Sequence, residues 1–154
     1  MVSYRLERVI SGGQTGVDQL GLEVAQALGI ATGGVAPRGY LAERGPDERL
    51  RDFGLTEHPS PDYDERTRAN VRQSDGTVLF GDATAGGNKL TLDTCVRDGK
   101  PYLVNPTAGQ LRQWLVEHQI STLNVAGDRA SSLTAEQMIH ILQVLTEGFT
   151  AVRI

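Results

Sequence analysis

Short apolar runs alternate with helical patterns of roughly 10–15 residues along nearly the whole chain, and that alternation leaves few folds open. Arg8-Val9-Ile10 reads as a first strand. Val17, Leu20, Leu22, Val24, Ala25 and Leu28 follow at helical spacing until Gly29 stops them. Ile30 to Ala36 is a second short apolar piece, Tyr63 to Gln73 has helical character, and Thr77 to Phe80 is a buried-strand signal. A helix follows to about Asp98, with Gly99 as its stop. Pro101 to Val104 and Thr122 to Ala126 read as strands on either side of a helix over Ala108 to Gln119. Thr134 to Glu147 is an amphipathic helix with Met138, Ile141, Leu142 and Leu145 on one face. Strands joined by helices make right-handed crossovers and a parallel sheet covered on both faces. The expected fold is α/β: a three-layer, doubly wound, mainly parallel sheet of Rossmann-like kind, with residues 1–154 as one domain. Between residues 38 and 75 the mixed charges and lack of apolar period predict a partly exposed connection.

In open parallel sheets, ligands bind beyond the carboxyl ends of the strands, where strand order reverses. Three glycine-bearing turns fall at such ends. The first, Ser11-Gly12-Gly13-Gln14-Thr15-Gly16, has dinucleotide-fingerprint spacing with Ser11 at the first glycine position. There Gly13 would admit a close ligand, Gly16 would let the helix pack on its strand, and the helix N-terminus would attract an anion. Ala85-Gly86-Gly87-Asn88 precedes a helix holding Thr91 and Asp93, on a strand expected to neighbour the first one. Asn124 to Ser131 adds Gly127 and Arg129. Asp18, three residues after Thr15, is either half of a capping box or a ligand-facing carboxylate.

Dinucleotide enzymes place an acid about 20 residues after the glycines, to hold a ribose diol. This chain has Ala36-Pro37-Arg38-Gly39 there, which favours an anion over NAD or leaves a solvated arginine. Tyr63, Arg66, Thr67, Asn70 and Ser74 share one helical face that ends next to Asp75, and this stripe is either solvated or touches ligand.

Composition narrows the function classes. A hydrophobic fraction of 39% with 18 glycines belongs to a globular chain rather than a disordered one. A net charge of −4 and a pI near 5.3 argue against nucleic acid or an anionic membrane as partner. Of the 15 basic residues, Lys89 and Lys100 are the lysines and the rest are arginines, whose fork suits carboxylate and phosphate. The one cysteine, Cys95, reads as a small core residue; it can form no internal disulfide, which together with the absence of a secretory leader predicts a cytoplasmic location. His58, His118 and His140 lack metal-ligand spacing, so no protein-ligated metal is expected.

Taken together, several motifs resemble those of the molybdenum carrier family: Ile10 to Asp18 (ISGGQTGVD), Pro37-Arg38-Gly39, Arg66-Thr67 with Asn70, Ser74 to Thr77, Gly86-Gly87 with Leu90-Thr91, and Leu123 to Gly127. They keep the family's order between about residues 9 and 132. Gln19 stands where the family commonly has Arg, and Asp128 where it often has Pro. The resemblance implies a Rossmann-like fold and, for one branch, binding of the molybdenum cofactor (molybdopterin), a pterin carrying a phosphate. The wider group includes the cytokinin-activating phosphoribohydrolases of lysine-decarboxylase-like type, which bind nucleoside monophosphates. Those enzymes place a Thr and a Glu just after their glycine pair; Thr91 and Asp93 stand near that position, shifted by one residue.

The expected function is a carrier or binding protein, a homo-oligomer without catalytic residues, for a small anionic phosphate-bearing ligand, with molybdopterin as the leading cofactor. The expected site comprises Gly12, Gly13, Gln14, Thr15, Gly16, Arg38, Gly39, Arg66, Asn70, Ser74, Asp75, Gly86, Gly87, Thr91, Gly127 and Arg129. The alternative is an enzyme that cleaves the N-glycosidic bond of a nucleoside monophosphate, with Asp93 or Asp18 in acid–base work.

Overall fold

The computed structural model describes residues 4–150. Its central sheet contains β1 (Arg8–Ile10), β2 (Ala31–Ala36), β5 (Leu55–Glu57), β6 (Gly76–Phe80), β7 (Tyr102–Val104) and β8 (Thr122–Gly127). Every pairing in it is parallel, in the order β5-β2-β1-β8-β6-β7. The helices α1 (Val17–Ala27), α2 (Tyr63–Gln73), α3 (Gly86–Arg97), α4 (Ala108–Glu117) and α5 (Ala135–Thr150) form the outer layers. α5 packs against α1 and α4, while α2 packs against α3. This is the three-layer α/β arrangement that the alternating pattern predicts.

The two faces of the sheet differ in chemistry because strand residues alternate between them. Val9 of β1, Val78 and Phe80 of β6, and Leu123 and Val125 of β8 enter one large apolar core with α1, α4 and α5. The alternate residues include the buried polar Thr77 and Asn124 beside the buried apolar Ile10 and Leu79, and Asn124 Nδ2 donates to Thr77 Oγ1 at 3.2 Å. α2 and α3 contribute Thr67, Asn70, Thr91 and Thr94 to the buried polar residues. Asn70 takes over strand pairing where β1 turns away, beyond its last partner pair, Ile10 with Gly33. Its Oδ1 accepts from Val35 N at 2.8 Å and its Nδ2 donates to Val35 O at 2.9 Å.

Two expectations need correction. β8 lies between β1 and β6, so the strands bearing the first two glycine turns are not neighbours. The connection after Arg38 also holds more structure than its pattern predicts. It contains a hairpin of β3 (Leu41–Ala42) and β4 (Gly45–Pro46), a 3-10 turn at Glu48–Arg51, and the edge strand β5. Leu50 and Leu55 are buried there in a small second core with Leu22, Ala36 and Tyr40. These elements are too short to establish any period in the sequence.

A cleft where three loops meet

The loop after β1 is organised around a buried carboxylate. Gln14 N donates to Asp18 Oδ2 at 3.2 Å, and Gly13 N donates to Ser11 Oγ at 3.2 Å. Arg66 Nη1 reaches across from α2 to the same Asp18 oxygen at 3.1 Å. A Cβ on Gly12 would collide with that guanidinium, so the glycine is what lets Arg66 cross. Burial pushes the Asp18 carboxyl above its ordinary range, while Arg66 and the backbone donors pull it back. No capping box forms between Thr15 and Asp18. Gly16 is the N-cap without a side-chain bond, and Thr15 Oγ1 instead donates to Glu43 Oε2 at 2.5 Å and accepts from Ala130 N at 3.1 Å.

The loops after β1, β6 and β8, together with α2, enclose a cleft of about 230 Å³. Gln14, Arg66, Gly86, Gly87, Thr91, Gly127 and Arg129 all line it, as does Asp18. α3 opens into it from Ala85, an N-cap with no side-chain hydrogen bond, so the first N–H groups of that helix keep their positive end for a ligand. Arg66 and Arg129 flank the ring of Tyr63, with guanidinium carbons 5.7 and 5.9 Å from its centroid.

Two donors on the cleft's lining residues are left over. Gln14 Oε1 accepts from Thr15 N at 3.0 Å and from Glu43 N at 2.6 Å, which fixes the amide's orientation. Gln14 Nε2 and Arg66 Nε are then buried with no partner among the described residues. An unmet buried donor costs about 1–3 kcal/mol, so each favours an acceptor in its surroundings.

The other expected residues lie elsewhere. A Cβ on Gly13 (φ +77°) would stand 2.7 Å from Leu50 Cδ1 and 3.0 Å from Leu55 Cδ2, so its close approach is to the second core. Thr15 and Gly16 border a separate hollow beside the β3–β4 hairpin. Arg38 and Gly39 are exposed, with backbone N–H groups donating to Ser60 O and to Glu57 Oε1. Asn70 is occupied by Val35, and Ser74 Oγ donates to Val71 O at 2.9 Å. The Asp75 carboxylate accepts from Ser121 N and Thr122 N, at the amino end of β8 and thus the far edge of the sheet.

Thr67, from the polar stripe of α2, lines the cleft too, and Asn88, Asp128 and Ser132 do so without having been singled out as site residues. Asn88 Nδ2 donates to Asp128 Oδ1 at 2.6 Å and so ties two of the loops together. The sequence signal of these two is adjacency: Asn88 follows the glycine pair and Asp128 follows Gly127. Asp93 is exposed on α3 and paired with Lys89 at 2.6 Å. Among the described residues, no group of three or more His, Cys, Asp or Glu could hold a metal ion, and no helix is long and apolar enough to cross a membrane.

Comparison with known proteins gives the same picture as the motifs. The model of the circularly permutated YpsA SLOG family matches residues 9–145. The crystal structure of a "putative molybdenum carrier protein" from Syntrophus aciditrophicus SB superimposes with a TM-score of 0.83 at 34% sequence identity. That match covers 96% of this chain and 97% of the other. No curated protein matches.

Proposed function

The chain belongs to the circularly permutated YpsA SLOG family, and we propose that its three-loop cleft holds a small phosphate-bearing ligand for carriage rather than for turnover. The observation that carries this reading is the pair of unmet buried donors, Gln14 Nε2 and Arg66 Nε, on residues lining one cleft. The uncapped α3 N-terminus and the exposed cation of Arg129 border the same space, and both favour a phosphate.

Among phosphate-bearing ligands the molybdenum cofactor leads, because a solved relative at 34% identity carries the description of a molybdenum carrier. The donor set fits its phosphate: Gly86, Gly87 and Arg129 would hold that group, with Gln14, Arg66 and Thr91 around it. Molybdenum would be ligated by the cofactor itself.

One observation favours the hydrolytic alternative. Asp18 is a buried carboxyl in the cleft whose proton is held above the ordinary range, as a general acid requires. Its carboxylate is already engaged by Gln14 and Arg66, Asp93 stands outside the cleft, and the cleft's other carboxylate, Asp128, is held by Asn88.

Native mass measurement on freshly purified protein tests the carrier reading. The expected result is a phosphate-containing adduct that Arg129→Ala loses. Protein that carries no adduct and shows no affinity for inorganic phosphate would overturn it. Release of adenine from adenosine monophosphate, abolished in Asp18→Asn, would promote the alternative.

A further inference from the structure

A second crevice, of about 380 Å³, opens at the carboxyl ends of β6 and β7 beneath the first turns of α5. Sites for small organic ligands run to roughly 300–1,000 Å³, so this space is large enough to be one by itself. Its walls are apolar: Phe80, Pro106 and Ile141 are buried and Leu133 is half-buried. The mouth is built in advance. Asn105 sits in the left-handed region (φ +47°), and its side chain grips the Gly81 backbone in both directions, accepting from Gly81 N at 2.9 Å and donating to Gly81 O at 3.0 Å.

The charge at this mouth is opposite in sign to that of the three-loop cleft. The half-buried Asp128 and the exposed Glu136 bring two carboxylates to it, with the His140 imidazole one helical turn beyond Glu136. Among the described residues, no lysine or arginine lines it. A Cβ at Gly81 would collide with the Asp128 carboxylate, so the glycine makes room for that charge at the crevice edge.

Two helices begin beside the crevice, and an open helix start would draw an anion there. Both starts are closed. At α4, Thr107 Oγ1 accepts from Gln110 N at 3.1 Å and Gln110 Oε1 accepts from Thr107 N at 2.9 Å. Thr134 and Gln137 form the same reciprocal pair at α5, at 3.1 and 2.8 Å, and Glu136 adds a negative charge to that first turn. The start of α3, which opens into the three-loop cleft, has no such cap.

We propose that the β6–β7 crevice is a separate site for a small organic cation, an ammonium group carried on an apolar body. The body displaces water from the Phe80, Pro106, Leu133 and Ile141 walls, and the ammonium donates to Asp128 and Glu136. A carboxylate or phosphate would meet like charge at the mouth. A purely apolar ligand would take water from the half-buried Asp128 without replacing its hydrogen bonds. The site stands whatever the three-loop cleft holds.

Nuclear magnetic resonance titrations with benzylammonium, benzyl alcohol and benzoate test it, since the three probes share a ring and differ in charge. Benzylammonium is expected to bind about tenfold more tightly than benzyl alcohol, as one hydrogen bond to a charged group would give. Benzoate is expected to bind more weakly than either. In the unaltered protein, Ile141 and Leu133 methyl signals are expected to shift with benzylammonium, a readout independent of how any variant folds. Glu136→Gln is expected to weaken benzylammonium severalfold. Glu147→Gln removes the same charge from an exposed position farther along α5 and is expected to change nothing. Equal affinities for benzylammonium and benzyl alcohol, or unmoved methyl signals, would overturn the site. Equal losses in the two variants would overturn it as well, because the net charge of −4 alone would then be attracting the probe.

Discussion

Arg66 donates from α2 to the Asp18 carboxylate on α1 at 3.1 Å, with side-chain exposures of 14% and 4%. The pair joins helices on opposite faces of the sheet and passes over the backbone of Gly12 to do so. Removing one partner of such a pair strands the other charge in a poor solvent.

Arg66→Met is therefore expected to destabilise the protein at neutral pH by about 3–5 kcal/mol. The pH dependence has a definite sign. Burial raises the Asp18 pKa above its unfolded value, so the native state keeps this proton longer. Its contribution is complete below the unfolded pKa and declines as pH rises toward the folded one. Without Arg66 that decline should steepen, and adding Asp18→Asn should flatten it. Urea unfolding across the acid-to-neutral range checks this; a loss independent of pH would refute it.

Two glycines with nearly the same backbone angle should respond differently to alanine. Gly16 (φ +85°) and Gly39 (φ +82°) would both incur the left-handed penalty of roughly 1–2 kcal/mol. A Cβ at Gly39 meets open space, whereas one at Gly16 would press on the backbone of Asp128, Arg129 and Ala130. Gly39→Ala should lose only the angular term. Gly16→Ala should lose clearly more and loosen the loop after β8, as read by denaturant midpoints and hydrogen exchange at Ala130.

Asn70→Ala should leave Val35 N and O without their side-chain partners. Stability should fall by about 1–3 kcal/mol for each buried group left unmet. The Val35 amide should exchange markedly faster than in the parent. Unchanged protection there would mean that another group had taken the place of Asn70.

The Glu43 carboxyl lies below its ordinary range because it accepts hydrogen bonds from Ser131 and Thr15, with Arg129 nearby. A carboxyl lowered in this way contributes its hold above the unfolded pKa and loses it as pH falls through the folded value. Protection of the Ser131 amide is expected to drop on acidification. In Glu43→Gln it should be low at every pH.

The sequence was most legible where a long period met a glycine. The β1–α1, β6–α3 and β8 segments show this, and Gln14, Arg66, Gly86, Gly87, Thr91, Gly127 and Arg129 do share one cleft. Strand order was not legible, because an apolar run such as Thr122 to Ala126 reports that a strand is buried but not which strands flank it. Gly13 shows a related limit. Glycine spacing marks a close approach, and only the placement of Leu50 and Leu55 reveals that the approaching group belongs to the protein itself. Ser74 closed the helical polar stripe and Asp75 followed it, yet that helix ends at the amino edge of β6, which carries its late residues away from the cleft.

The central position of β8 also governs when the three-loop cleft can form. β1 and β6 each pair with it and not with each other, and neighbouring strands lie about 4.8 Å apart, so until β8 arrives a gap of about 10 Å stands at the middle of the sheet. During synthesis the ribosome delivers β8 after every other strand. The nascent chain thus carries two unpaired strand edges and only two of the three loops of its cleft. Insertion of β8 closes the sheet and completes the cleft in one event. A growing chain therefore lacks one wall of the three-loop cleft until its last strand is in place.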